Sequence, residues 1–589
     1  MGTVLAGLTL VVAAGAWTFS TAKRIDRELN AAIQLVGPLK QDIAADELDS
    51  AANKIGEISE YTRAAKDAAN DPVWTLASTL PGVGANFSAI AEVTRSADDV
   101  ATLGLKPLLK VYSSLDWNSA VPRASGTDLA PIKSAAPSIT SAAHAVRVSA
   151  DRLNQIDAST LLPEVSEPLT RAQTQLEDVT GTLSAAADAA HLLPKLLGDE
   201  TPRTYLLMIQ NNAEVRASGG IPGALAVLEI DSGKLSLGRQ SSAVEVGVMS
   251  PPLQIDAAQQ QIFSGRLGKF MQDVNLTPDF PTAASTARAM WDKKFDEQVD
   301  GVISIDPVVL SYILDALGPV RVADADLIGL AGSGLPLELS GNNVVATLLS
   351  DVYQRIEQPA LQDAYFAGVA QEIFSALASG NADEKGLVEG LTRGAEEGRV
   401  LLWSGYKDEQ AVIAKYGVSG SVSGPSVSPA QFGVYFNDGT GAKMDYYTKR
   451  TVQLIKECPR DGYEETTVRI TSTNTAPGDA ATSLPPYVTG NGVFGVPPGS
   501  VQTNIAAYGP AQAHVETAKL DGQKTEFAPY FHGNRPVGVL AIRLAPGESK
   551  TVDFTFGKIV QHTEPNVVVT PTVQDVKDVT LPTETAACR

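Results

Sequence analysis

Gly301-Val302-Ile303-Ser304-Ile305-Asp306-Pro307-Val308-Val309-Leu310 holds a strand and the start of a helix in one short stretch. The first half is short, apolar and rich in β-branched residues, the pattern of a buried strand. Asp306-Pro307 then opens a helix with proline in its first turn, and Leu310, Ile313, Leu314 and Leu317 carry it to a stop at Gly318. Upstream, Tyr205-Leu206-Leu207-Met208-Ile209 reads as a second buried strand and residues 224–230 as a third. The third ends at Asp231-Ser232-Gly233-Lys234, a hairpin-type turn, after which Leu235 and Leu237 alternate with polar neighbours. Strands interleaved with helices predict an α/β layered domain over residues 201–417.

Between the second and third of these strands lies Gln210-Asn211-Asn212-Ala213-Glu214-Val215-Arg216-Ala217-Ser218-Gly219-Gly220. Glycine lets a backbone approach an anion closely, and arginine offers a two-pronged donor for phosphate or carboxylate. Asn211, Asn212, Glu214, Arg216, Gly219 and Gly220 are therefore candidate ligand-binding residues of a loop. The competing reading is a local Glu214–Arg216 pair in a polar turn. Asp273 and Asp279, with Asn275 between them, form a second polar cluster that suits hard-oxygen ligation of Mg²⁺ or Ca²⁺. An Asx-rich loop capping the helix that starts near Pro281-Thr282 explains the same residues without a metal.

Outward toward the N-terminus, residues 23–200 are rich in alanine and in helix formers. Leu48, Ala51, Ile55, Ile58, Thr62, Ala65 and Ala69 step by three and four, as do Leu169, Ala172, Leu176, Val179, Leu183, Ala186 and Ala190. Ile139, Ala143, Val146, Ala150 and Leu153 make a third seam, expected to begin after a break at Ala136-Pro137. The pattern predicts an antiparallel helical bundle, a stalk. Ahead of it, residues 1–22 carry no charge, and about 20 apolar residues span a bilayer core. A single-pass membrane anchor is expected there, a cleaved signal peptide being the other reading. Lys23 and Arg24 follow the span, which taken alone favours a cytoplasmic body.

Toward the C-terminus, residues 418–429 form a Gly/Ser/Pro linker or long loop. Residues 451–455, 465–471, 539–544 and 551–556 are short alternating strands separated by Pro/Gly turns, which predicts a β-sandwich over 430–589. Cys458 and Cys588 are the two cysteines of the chain, and both fall here. A disulfide between them suits an oxidising exterior and sets the expected placement as a cell-membrane protein with an extracytoplasmic body. Two free thiols are the alternative. His532-Gly533-Asn534-Arg535 has no nucleophile nearby in sequence and reads as a turn.

Composition bounds these readings. The 589 residues call for several folding units, and 44% hydrophobic content excludes a wholly disordered chain. A net charge of −21 argues against a general nucleic-acid binder, which needs clustered Lys and Arg. Two cysteines and five histidines leave little for zinc clusters.

The 210–220 stretch resembles the hallmark of the domain-of-unknown-function family 4012, envelope proteins of Gram-positive bacteria. The likeness extends through Asp273-Val274-Asn275-Leu276-Thr277-Pro278-Asp279-Phe280-Pro281 and Val299-Asp300-Gly301-Val302-Ile303-Ser304-Ile305-Asp306-Pro307. It also takes in Asp71-Pro72-Val73-Trp74 and Leu80-Pro81-Gly82-Val83-Gly84. More distantly, residues 302–322 are similar to the strand–helix unit of LytR–CpsA–Psr proteins. These transfer glycopolymers from a polyprenyl-pyrophosphate carrier, using several arginines and an aspartate-bound magnesium. Arg216 is the one arginine that matches that pattern; no Arg-Asp pair stands at 238–243 and no arginine at 362–365. The resemblances together imply a membrane-anchored cell-envelope protein that recognises or scaffolds a cell-wall glycan or polyprenyl-linked intermediate. The alternative is a metal-dependent glycopolymer phosphotransferase.

Overall fold

The computed structural model describes residues 2–45, 47–114, 126–332, 334–379 and 382–588, with side chains throughout these except at 2–16, 44, 112, 114, 178 and 331. Contacts divide the chain into two compact units: Met1–Ala120 with Asp128–Leu196, and Val121–Thr127 with Leu197–Arg589. The architecture is multidomain α+β, helical in its N-terminal region and β-rich toward the C-terminus.

The first unit contains α1 (Gly2–Ala44), α2 (Leu48–Ala69), α3 (Pro72–Ala77), α4 (Gly84–Asp99), α5 (Lys106–Ser114), α6 (Ala130–Asn154) and α7 (Pro163–Leu196). Small residues let these helices approach closely. Ala51, Ile55 and Ile58 of α2 pack on Ala32 and Leu39 of α1, and Ala143 and Val146 of α6 on Leu183 and Ala187 of α7. The α7 seam steps by four from Leu183 to Ala187, leaving Ala186 exposed. The break expected at Pro137 is absent, because α6 runs through it. Pro137 sits on the solvent side while Ala135 and Ala136 beside it are buried, so packing on the opposite face holds the turn together.

The expected membrane anchor is corrected. Among the described residues no helix is long and apolar enough to cross a membrane, which removes the basis for a single-pass cell-membrane protein with an extracytoplasmic body. From Trp17, where the described side chains of α1 begin, the helix continues through Lys23, Arg24, Asp26, Arg27 and Glu28, and these charges interrupt any apolar stretch. Most of the anticipated 1–22 span falls on side chains outside the described residues.

The second unit begins with a five-stranded sheet of order β3-β2-β1-β4-β5. Its strands are β1 (Arg203–Arg216), β2 (Gly219–Asp231), β3 (Lys234–Ser242), β4 (Gly301–Ile305) and β5 (Leu401–Ser404). Only the β1–β4 pair is parallel. The helices that flank the sheet are α8 (Ala257–Phe263), α9 (Phe280–Phe295), α10 (Pro307–Leu317), α11 (Pro359–Ala378) and α12 (Glu384–Glu396). Alternation along β1 separates two cores: Leu206 and Met208 pack under α9 with Phe280, Met290 and Trp291, whereas Leu207 and Ile209 face the side of α10 and α11. Asp306 caps α10 by accepting from the Val309 N–H at 3.0 Å, and Gly318 ends that helix with φ +77°. Ser232 and Gly233, both left-handed, make the two-residue turn between β2 and β3.

Besides a short two-stranded pairing of Val320–Arg321 with Glu338–Leu339, two larger sheets follow. The strands are β6 (Gln431–Asp438), β7 (Thr448–Lys456), β8 (Glu464–Asn474), β9 (Val501–Tyr508), β10 (His514–Leu520), β11 (Gln523–Thr525), β12 (Ala528–His532), β13 (Arg535–Leu544), β14 (Ser549–Ile559), β15 (Asn566–Val569) and β16 (Glu584–Thr585). They form β11-β10-β14-β8-β7-β16 and β12-β13-β9-β6-β15, which share a core of Phe432, Phe436, Val468, Ile470, Ile505 and Phe554. Cys458 and Cys588 form a disulfide with Cα atoms 5.5 Å apart, tying the tail beside β7. The 418–429 stretch is a packed loop rather than a free linker. The buried Arg535 guanidinium donates to the Val422 carbonyl at 3.0 Å, and the Val422 N–H to Asp279 at 3.3 Å.

Candidate functional site

The polar stretch 210–220 is not a loop. β1 runs on to Arg216 and β2 starts at Gly219, so the segment is the tip of a long hairpin inserted between the α/β layers and the sandwich. Val215 joins the sandwich core, and Ala217 packs with Tyr435 and Tyr508. The Ala217 N–H donates to Asn437 at 3.0 Å, and its carbonyl accepts from Thr570 at 2.8 Å.

The two glycines serve this close packing. A Cβ on Gly220 would lie 2.2 Å from the Asn211 carbonyl carbon, and one on Gly219, whose φ is +141°, would lie 2.5 Å from Gln210 Oε1. Gln210 Oε1 accepts from the Gly220 N–H at 2.6 Å and from Asn275 at 3.2 Å. Asn212 is fully buried and donates to Asp306 at 3.1 Å; Arg399 completes that network with a 2.7 Å bond to the same carboxylate oxygen. Gly219, Gly220 and Asn212 thus hold the hairpin and line neither of the two cavities beside it.

Asn211, Glu214 and Arg216 do face cavities, and two of these flank the hairpin. The first, about 380 Å³, lies between the sheet face and helices α10 and α11. Leu207, Ile209, Leu228, Ile303, Phe366 and Leu377 line it and are only partly buried, because empty space rather than atoms lies in front of them. The volume falls within the range of about 300–1,000 Å³ typical of small-molecule sites. Its polar groups come from the hairpin and from segments later in the chain. Asn211 donates to the Tyr353 hydroxyl, and Lys443 pairs with Glu214. The Lys443 ammonium lies 5.4 Å from the Tyr353 ring centroid and 5.5 Å from that of Tyr487. These groups gather at the carboxyl ends of the parallel strands β1 and β4, where open α/β sheets place their ligands.

The second cavity, about 740 Å³, opens on the other side of the hairpin and is the more polar of the two, hence the polar cavity below. Arg216 lines this one and not the apolar one. It lies 3.5 Å from Glu214 and 3.4 Å from Asp273, whose other oxygen accepts from the half-exposed Arg266 at 2.7 Å. Glu214, Ile221 and Gln272 belong to the walls of both cavities.

The charges here are strongly coupled. Burial alone raises the Glu214 carboxyl, but the Lys443 and Arg216 charges override it and hold the group below the ordinary carboxylate range. Burial lowers the Lys443 ammonium, yet Glu214 and the two phenols beside it raise it above its ordinary value. Asp438, buried and close to the negative charges of Asp445 and Glu214, is pushed up to about 7.

Asp273 and Asp279 are not brought together as a ligand set. Asp273 is held by two arginines in the polar cavity wall, while Asp279 caps α9, accepting from Thr282 Oγ1 at 2.6 Å. Among the described residues no group of three or more His, Cys, Asp or Glu side chains is placed to hold a metal ion. His532 contacts the buried Tyr508 hydroxyl at 2.9 Å from the end of β12, just before the Gly533-Asn534 turn.

Lys443, Tyr353, Tyr487 and Asp438 escaped the reading of the sequence. The available signal was Asn437-Asp438-Gly439-Thr440-Gly441, a turn cluster followed by a lone lysine between alanine and methionine.

Residues 200–353 match the family model described as a protein of unknown function, DUF4012. No curated protein matches the chain, and no solved structure does. The DUF4012 region begins just before β1 and ends at Tyr353, the residue that accepts from Asn211. It therefore spans the hairpin and much of the apolar cavity wall, whereas Lys443 and Tyr487 lie beyond it.

Proposed function

We propose that the protein recognises a lipid-linked intermediate, a long isoprenoid chain carrying a phosphate and glycan head, and holds it without turning it over. The observation that carries this reading is the apolar cavity between the sheet and α10/α11, with its polar groups concentrated around Lys443 and Asn211. Burying such a chain is worth about 0.8 kcal/mol per methylene. A polyprenyl carrier and a cell-wall glycan are taken as the ligand class from the distant resemblance to LytR–CpsA–Psr proteins read from the sequence of residues 302–322.

Recognition is favoured over phosphotransfer because the groups such chemistry would recruit are engaged with one another. Asp273 is held by Arg216 and Arg266, and Asp279 is committed to a helix cap. Charge spread over a pyrophosphate needs several free donors.

The test is binding of farnesyl phosphate to the wild-type protein and to Ala226→Phe. Ala226 is buried on the sheet face of the cavity, so a phenyl ring there fills the space. Binding that Ala226→Phe weakens at least tenfold is the expected result. Binding that the variant leaves untouched sinks the proposal.

A further inference from the structure

The polar cavity is as large as the apolar one is greasy, and the two share a wall. Glu214, Ile221 and Gln272 line both, and Tyr487 and Phe494 extend that continuity along a single segment. Tyr487 borders the apolar cavity and Phe494 the polar one. Lys443 stands on the apolar side of the shared wall, paired to Glu214.

The lining of the polar cavity has hydrogen-bonding capacity that the fold does not use. Arg216 is 6% exposed, and its Nε has no hydrogen-bond partner among the described residues; Gln272 Oε1 is in the same position. Both atoms lie just beneath the cavity surface, and a buried donor and acceptor without partners cost stability that a small turn of either side chain toward a ligand in the cavity would recover. The charges nearly cancel: Arg216 and Arg266 stand against Glu214, Asp273 and Asp438. Such a wall offers nothing to a polyanion but suits a neutral molecule whose hydroxyls both donate and accept. Phe494, 68% exposed on the rim, and Phe270 add flat apolar faces of the kind that pack against the C–H face of a sugar ring.

We infer that the polar cavity receives the sugar head of the same lipid-linked ligand, laid against Phe494 and hydrogen-bonded by Arg216 and Gln272. This rests on the reading of the apolar cavity as the chain site. It orders the ligand along the molecule as chain, phosphate near Lys443, then sugar beyond Glu214.

The experiment compares two probes on the full chain: farnesyl phosphate, and farnesyl phosphate esterified to N-acetylglucosamine. The wild type is expected to bind the sugar-bearing probe at least tenfold more tightly. Phe494→Ala, a change at an exposed residue, is expected to abolish that preference and leave farnesyl phosphate affinity unchanged. Equal affinity for the two probes overturns the sugar chamber while leaving the chain site standing, as does a Phe494→Ala variant that weakens both probes alike. Free chitobiose binding that depends on Phe494, without farnesyl phosphate binding, supports the chamber and overturns the chain site. Binding of no probe overturns both.

Discussion

The Lys443 ammonium pairs with the Glu214 carboxylate at the wall between two cavities, joining residues 229 positions apart in the chain. Both partners are buried, so neither charge has water to fall back on. Removing Lys443 leaves Glu214 facing the more distant Arg216, 3.5 Å away, and removing Glu214 leaves the Lys443 ammonium buried without that carboxylate. Lys443→Met is expected to destabilise the second unit by about 3–5 kcal/mol in urea denaturation, the usual cost of breaking a buried pair. Lys443→Met combined with Glu214→Leu should recover most of that loss. Equal instability of the single and double variants would show that the pair is not the source.

Asp438 carries a pH dependence of definite sign. Its folded-state pKa is about 7 against an ordinary 3.8, so the native state holds a proton that the unfolded chain releases. The contribution is full below about pH 4 and is lost as pH rises through 7. The stability difference between wild type and Asp438→Asn should therefore shrink or change sign between pH 4 and 8. A difference that stays constant over that range contradicts the assignment.

Pro137 offers a gain. It lies inside α6 with its ring toward solvent, where it removes one helical hydrogen bond and contributes no core packing. Pro137→Ala is expected to stabilise the helical unit by about 1–3 kcal/mol, read as a higher Tm of its melting transition. An unchanged or lowered Tm would mean that the local bend is itself needed for packing.

The Cys458–Cys588 bond closes a loop over a sequence separation of 130. Chain entropy alone puts its contribution at up to about 5 kcal/mol. Cys588→Ser should lower the stability of the second unit by about 3–5 kcal/mol and raise amide exchange at Glu584 and Thr585, which pair with β7. Loss of exchange protection without loss of stability would restrict the bond to anchoring the tail.

Local signals were legible in the sequence and long-range ones were not. Asp306-Pro307 and Gly318 mark the ends of α10, and Ser232-Gly233 marks the β2–β3 hairpin, because capping and left-handed turns depend on a few adjacent residues. The polar tip at 210–220 reads as a loop because its composition is that of an exposed segment. It becomes strand because the sandwich supplies Asn437, Asp445 and Thr570 as partners from far along the chain. For the same reason Arg216, singled out as a clamp for a lipid phosphate, lies on the polar side of the hairpin. Lys443, the cation that does border the apolar cavity, has no local motif to announce it. The apolar N-terminal run suggested an anchor, yet its helix continues into Lys23–Glu28 without a break, and hydropathy alone does not show that continuation.

The chain-binding cavity is tested most directly by titrating the protein with geranyl, farnesyl and geranylgeranyl phosphate in turn. An apolar cavity of about 380 Å³ predicts that affinity rises at least tenfold with each added isoprene unit until the space is filled, and that Ala226→Phe cuts the series short. Affinity that does not change with chain length, or that Ala226→Phe leaves intact for the longest chain, would contradict it.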